Sequence, residues 1–433
     1  KHDIMSDEAE NRQSREKADK WIFGILLSVI GFMPLIVMGN IEEVISPVVS
    51  NIDILLSGVK GELFTSYKVL FTLVATVIAG LIFLGKIYFM DGEIRKTPIN
   101  YFLGIFAIGI VLATIFSPNI SIASSGQYNR SDGAISWICY LALMFMAMNI
   151  NYPKKAISYV MYTFMPFVLI YLLVIAMDFY EKDLLQYSTM QKMVSLFLPE
   201  GAAISSGSQL VGTLNQWNYM SGMFAIMTGM YLIWAVVEKS WLNSILGLIT
   251  SVASLSIMLM SLSRSGFVTV SLLILIVLFV AIKSEKKMRN ILLIVSLLII
   301  TAPIFHVLAE KNPRIWTETL GFIFDENPYV EKKAATSPTS YNLQLDLMNK
   351  AYAADNSFEL PILPESAMSA GTGRTYIWGK ALELLKERPL VGYGLDTFMY
   401  NFPHFNIDAR GGLRTEQTIV DKPHSLYVGV LYG

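Results

Sequence analysis

The stretch SLSRSGFVTVSLLILIVLFVAIK, residues Ser261–Lys283, decides how this chain folds. Its interior from Ser265 to Ile282 carries no charge, and at a helical rise of about 1.5 Å per residue such a run approaches the ~20 residues that cross a bilayer. Arg264 stands at one end and Lys283 at the other. The rest of the chain has the same character. Of 433 residues, 54% are hydrophobic and 15% charged, with a mean hydropathy of +0.50; a soluble domain carries about 25% charged residues. These values describe an integral membrane protein.

Further runs of spanning length lie at Trp21–Gly39, Tyr67–Leu84, Ile99–Phe116, Ala134–Ile150, Ala156–Met177, Tyr219–Val237, Asn243–Leu262 and Ile291–Leu308, which makes nine with Ser265–Ile282. No small-residue cleavage signature accompanies the first run, so it reads as a retained helix rather than a signal peptide. A tenth run begins near Ser425 and stops at Gly433, too soon to cross, so further helices are expected beyond it. The expected fold is all-α, a polytopic transmembrane helix bundle of about ten spans with one long extracytoplasmic loop carrying short helices. Its parts are a cytoplasmic arm at residues 1–20, too charged to be buried, the bundle at 21–308, the catalytic loop at 309–424 and the start of another span at 425–433.

Basic residues beside the spans set the orientation. With the N-terminus inside, the inner segments hold Arg12, Arg15, Lys17 and Lys20, then Lys86, Arg95 and Lys96, then Lys154 and Lys155, then Lys239, then Lys283, Lys286, Lys287 and Arg289. The short outer segments hold only Lys60, Lys68, Arg130, Lys182, Lys192 and Arg264. The long polar segment from Ala309 to His424 therefore lies outside, where nucleotide-activated substrates are normally absent. Positive charge is spread over the ends of apolar runs rather than pooled, so nothing points to nucleic acid. The single cysteine, Cys139, excludes an internal disulfide and a cysteine-built zinc site.

Two connections carry polar interest before the long loop. The segment Asn40–Ser66 mixes apolar residues with Glu42, Glu43, Asp53 and Glu62, as suits a structure lying at the interface. The connection before Trp217 ends in SSGSQLVGTLNQWNYMSG, where Asn215, Gln216 and Asn218 offer the uncharged hydrogen bonds that hold sugars.

Three residues stand out for chemistry. Arg264 lies between two apolar runs with no acidic residue near it in sequence; a guanidinium so placed is functional, paired or snorkelled to the headgroups. Arg374 opens a helix defined by Ile377, Ala381, Leu384 and Leu385 and capped by Thr372. A cation in a first turn opposes the helix dipole, and an anion bound there resolves the conflict. His424 follows Asp421-Lys422-Pro423 where the loop re-enters the membrane, and a histidine near its ordinary pKa can take a proton at neutral pH. His404 and His306 lie among aromatic or apolar neighbours and carry less weight. The RGGLR segment adds Arg410 and Arg414 around two glycines that let backbone N–H groups converge on an anion.

In order along the chain, these features resemble the O-antigen ligase and polymerase superfamily of bacterial membrane glycosyltransferases. The matching residues are Gly212 to Asn218, Ser263-Arg264-Ser265-Gly266, Gly373-Arg374 with Trp378, Pro389 with Gly392 and Gly394, and Lys422-Pro423-His424-Ser425. Ser425 stands where asparagine is frequent. The resemblance implies an enzyme of the bacterial cytoplasmic membrane, multi-pass, with its active face extracytoplasmic. It would move a glycan from a polyprenyl pyrophosphate carrier to an acceptor hydroxyl on a glycan, lipid or protein, without cofactor or metal. His424, Arg264 and Arg374 are then the catalytic residues, with Asn215, Asn218, Arg410, Arg414 and Lys422 as substrate-binding residues. Its partners are the lipid-linked glycan, the acceptor and the bilayer, and no nucleic acid. Within the superfamily a ligase is read first, and a polymerase of lipid-linked repeat units second. The rival from another class is a lipid-linked glycan flippase or transporter, which would carry charge along a path inside the spans.

Overall fold

The computed structural model of this chain describes residues 2–44, 58–202, 212–214, 216–324, 326–330, 373–404, 406 and 419–433. The fold is an all-α polytopic bundle. Its long helices are α1 (His2–Phe32), α2 (Ser66–Phe89), α3 (Pro98–Ile115), α5 (Ala134–Met148), α6 (Ala156–Phe179), α8 (Trp217–Val237), α9 (Trp241–Met260), α10 (Arg264–Lys283) and α11 (Lys287–Lys311). Short helices α4 (Ile120–Ser125), α7 (Ser188–Val194) and α12 (Arg314–Thr319) lie in the connections. In the C-terminal part stand α13 (Arg374–Glu387), α14 (Phe398–Asn401) and α15 (Leu426–Tyr432), the last being the expected tenth run.

Among the described residues eight helices are long and apolar enough to cross a membrane, and α5 is an apolar helix of 15 residues. At about 1.5 Å per residue α5 alone falls short of the ~30 Å hydrocarbon core, yet its flanks complete the crossing. At one end Ser131 Oγ meets Thr65 Oγ1 at 2.9 Å, beside the start of α2. At the other, the Asn149 carbonyl accepts from Lys86 Nζ at 3.1 Å, in the last turn of α2. The segment thus runs the full length of its neighbour.

Small residues bring the central helices together, as they must where lipid removes the hydrophobic drive for helix association. On α9, Ser244, Gly247 and Ser251 recur three and four residues apart on the face toward α8. Ser244 Oγ donates to the Ala235 carbonyl and Ser251 Oγ to the Thr228 carbonyl, both at 2.8 Å. A Cβ on Gly247 would meet the Tyr231 carbonyl oxygen at 3.1 Å. Around this pair, Phe167, Tyr171, Phe224, Met258 and Leu297 of α6, α8, α9 and α11 form the larger core. A second core joins α1, α2 and α5 through Ile22, Ala79, Phe83 and Leu143.

Three local findings refine the sequence reading. The first span is not a run to Gly39 behind a polar arm. One helix continues from the arm to Phe32, a 3-10 turn at Met33–Leu35 carrying Pro34 follows, and Ala18 and Asp19 are buried. The cause is the end of α2 and the loop after it, where Lys86 Nζ contacts Asp19 Oδ1 at 2.6 Å and Arg15 Nη1 donates to the Met90 carbonyl at 2.8 Å. The interfacial segment is an antiparallel hairpin of β1 (Asn40–Val44) and β2 (Gly58–Glu62), with Asn40 opposite Glu62 and Val44 opposite Gly58. Its buried Glu62 carboxylate accepts from the backbone N–H of Phe64 at 2.6 Å, of Thr65, and of Ser66 at 3.0 Å, just ahead of α2. An anion there also suits the helix dipole.

Both members of the Lys86–Asp19 pair are nearly fully buried, and removal of one partner leaves an uncompensated charge. Lys86→Met is therefore expected to lower stability by about 3–5 kcal/mol. Unfolding in mixed detergent micelles measures it, and a loss under about 1 kcal/mol would show the pair to be solvated in effect.

Candidate active site

The loops that meet at one end of the bundle enclose a cavity of about 600 Å³. It lies between the connection preceding α5, the start of α8, the first turn of α13 and the turn that enters α15. Of the residues singled out in the sequence, Gln216, Asn218, Arg374, Lys422, His424 and Ser425 line it. They come from positions more than two hundred residues apart, and the alternation of the spans puts every one of these connections on the same face.

His424 sits in a turn held from both sides. Trp378 Nε1, one turn into α13, donates to the Pro423 carbonyl at 2.7 Å, so the tryptophan of the G-R-x-x-x-W pattern ties its helix to the histidine. On the other side Asp421 is gripped by Arg130. His424 itself has φ +55, left-handed for a residue with a side chain, and such a backbone is kept only where the surroundings enforce it. Ser425 then caps α15, its hydroxyl accepting from the Val428 N–H at 3.4 Å; serine and asparagine do this about equally well. The imidazole is part exposed, and Nε2 lies 3.6 Å from Asp421 Oδ1. Burial lowers its pKa from the ordinary 6.5; Asp421 opposes this, while Lys422, Arg374 and Arg130 add to it. The ring is thus held as a neutral proton acceptor.

Arg374 occupies the first position of α13 behind Gly373, which serves as N-cap with φ +77 and makes no side-chain cap bond. Its guanidinium is exposed and has no acidic partner among the described residues. Thr372, the expected cap, lies outside the described residues, as do Asn215, Arg410 and Arg414. Lys422 reaches across to α8, donating to Tyr219 OH at 2.7 Å with its ammonium 5.2 Å from that ring's centre.

Arg264 does not line the cavity; it starts α10 at the rim. Its neighbour Ser263 donates to Asn218 Oδ1 at 3.4 Å and contacts Ser265 Oγ at 3.0 Å. The guanidinium is more than half exposed and meets Glu318 of α12 at 3.5 Å, a loose contact from a residue far along the chain. Gly266 explains the glycine of that motif, because a Cβ there would stand 2.0 Å from Ser221 Oγ and 2.9 Å from Met258 Cγ. Gly394, at φ +92, lets the backbone turn against Ser117, whose hydroxyl donates to the Tyr393 carbonyl at 2.5 Å.

Sequence reading missed Arg130, Asp132 and Asp396, all of which line the cavity. Arg130 pairs with Asp396 and, at 2.8 Å, with Asp421. Burial works against its charge, but the two carboxylates outweigh it and raise its pKa. Asp132 accepts from Trp137 Nε1 at 3.0 Å; burial and the neighbouring Asp396 push its carboxyl up to about 6, against the pull of Arg130. One signal was available: Arg130 is a basic residue in a short outer connection, where the positive-inside bias disfavours it. His404 is structural, its Nε2 accepting from the buried Val420 N–H at 3.0 Å beside the Phe402 ring.

Chemically, the cavity joins the exposed Arg374 guanidinium, the Lys422 ammonium held at Tyr219, the His424 imidazole and an apolar wall from Trp137, Leu395 and Val430. Compared with known families, residues 249–433 match O-antigen ligase. That span starts within α9 and takes in Arg264, Arg374, Lys422 and His424 but not Arg130, Asp132 or Asn218. Neither the curated proteins nor the solved structures give a match.

Proposed function

We propose that this multi-pass membrane protein, whose residues 249–433 match O-antigen ligase, transfers a glycan from a polyprenyl pyrophosphate carrier to an acceptor hydroxyl on the extracytoplasmic face. The observation that carries this reading is the meeting of Arg374, Lys422 and His424 in one cavity, with Arg264 at its rim.

A diphosphate at headgroup level presents oxygens that guanidinium groups bind two at a time. Arg374, in the first turn of α13, and Arg264, at the start of α10, would hold it. As the glycosidic C–O bond breaks, charge grows on the departing pyrophosphate, so the same contacts strengthen in the transition state. His424 takes the acceptor hydroxyl's proton while the new C–O bond forms on the opposite face of the sugar, which inverts the anomeric centre. Asn218 and Lys422 bind glycan or acceptor from the α8 side. Asn215, Arg410 and Arg414 remain part of the proposed substrate-binding set from the sequence. Pyrophosphate leaves without protonation, so neither a carboxylate pair nor a metal is demanded.

The test uses the purified full-length protein with a polyprenyl pyrophosphate-linked glycan in excess chelator. Product is expected at the unchelated rate, and only when a separate acceptor is supplied. Activity lost to chelator and restored by magnesium would overturn the arginine mechanism. Chains growing by one repeat from donor alone would make the protein a polymerase.

A further inference from the structure

Arg130 and Asp421 stand 291 residues apart in the chain, yet they meet through two hydrogen bonds in the cavity. Arg130 Nη1 meets Asp421 Oδ2 at 2.8 Å, and Nη2 reaches the Asp421 backbone carbonyl at 3.3 Å. The guanidinium is itself fixed by Gln127 Oε1 at 2.6 Å and by Asp396, whose second oxygen accepts from the Gln127 N–H at 2.6 Å. Both the carboxylate and the backbone of Asp421 are thus immobilised from a connection outside the family-matched region. This leaves Oδ1 facing His424 Nε2 at 3.6 Å.

We propose that Arg130 and Asp421 are positioning residues for His424, with Asp421 Oδ1 accepting a hydrogen bond from Nε2–H so that Nδ1 is the base. This rests on the transferase reading above. A carboxylate that fixes a histidine's tautomer and stabilises its imidazolium is the third member of many nucleophile–base arrangements. The 3.6 Å separation exceeds a hydrogen bond, and contacts of this kind tighten as the ring becomes charged. In the step itself the acceptor O–H bond breaks and its proton passes to Nδ1. The oxygen bonds to the anomeric carbon, and the carbon–oxygen bond to pyrophosphate breaks with the electron pair leaving on the diphosphate. The imidazolium then rests against Asp421 until it returns the proton to water.

The charged groups facing the ring are Asp421 and Lys422 on its own turn, Arg374 on α13 and Arg130 from the connection before α5. Behind Arg130 stand Asp396 and Asp132. Asp421 raises the histidine's pKa and Arg130 lowers it, so the two positions have opposite signatures. Asp421→Asn should lower kcat by about 10–100-fold with little change in KM, and should move the acidic limb of the rate profile to lower pH. Arg130→Gln removes a cation and frees the carboxylate, so it should lower kcat and move that limb to higher pH. Asp421→Asn combined with His424→Ala should be no slower than His424→Ala alone.

Should Asp421→Asn fail to elute as a single species, Asp421→Glu replaces it; the charge is kept, so the limb stays while kcat falls. Wild-type kcat with an unmoved limb in both variants, beside an inactive His424→Ala, would reduce the pair to a structural tie and leave the transferase reading intact. An active His424→Ala would overturn both the base and its positioning pair.

Discussion

Replacing His424 with alanine is expected to lower transfer by about 10²–10⁴-fold, the usual share of a general base, while the lipid-linked donor still binds. The cations assigned to the diphosphate do not depend on the imidazole, since Arg374 is placed by α13 and Arg264 by α10. The wild-type rate profile should carry the same signature. A base works only when unprotonated, so activity is lost as pH falls through its pKa. Burial, with Lys422, Arg374 and Arg130, lowers that pKa from 6.5 against the pull of Asp421, which sets the acidic limb below the ordinary histidine range. Wild-type rates from the alanine variant above neutral pH would send the search to another base. Asp132 would be the first suspect, because it lines the cavity and its carboxyl is pushed up to about 6. His404 drops out of that search, since its Nε2 is already engaged by Val420.

The second large effect is expected at the arginines. Arg374→Lys and Arg264→Lys should each lower kcat/KM by about 10²–10³-fold, the range for one electrostatic donor aimed at developing charge. Lysine keeps the charge but lacks the planar fork that meets two phosphate oxygens together. Neither arginine is a structural strut whose loss would unfold the protein: Arg374 is exposed, and among the described residues Arg264 has only the loose Glu318 salt bridge. Steady-state rates on protein of unchanged elution profile make the measurement. A lysine variant at either position with near-normal turnover would show that the guanidinium there supplies charge alone. Arg264 is the sharper case, because it stands at the rim and not in the wall. Its effect depends on the carrier's diphosphate lying between cavity and bilayer.

The spans and the common face of the motif residues were legible in the sequence, because both follow from local quantities. A run such as Ser265–Ile282 must satisfy its backbone within itself inside lipid, so helix is the one outcome open to it. The count of crossings then fixes which connections share a face, and Arg264, Arg374 and His424 fall together by parity. Where local rules were incomplete, a distant partner was responsible. Asp19 looked like part of a solvated arm until Lys86, far along the chain, buried it, and α5 completes its crossing through flanks that α2 holds.

The inner wall of the cavity was decided by tertiary structure alone. Arg130 and Asp132 sit in a short polar connection whose one signal in sequence is a basic residue on the outer side, and that signal names no partner. What encloses the Arg130 guanidinium is the arrival of Asp396 and Asp421, 266 and 291 residues later, against the end of the bundle. No periodicity connects positions so far apart. A buried guanidinium is tolerable only once its carboxylates are in place, so its environment is a property of the assembled fold. The sequence put a histidine and two arginines on the same side of the expected bundle; packing decided which carboxylate stands behind that histidine.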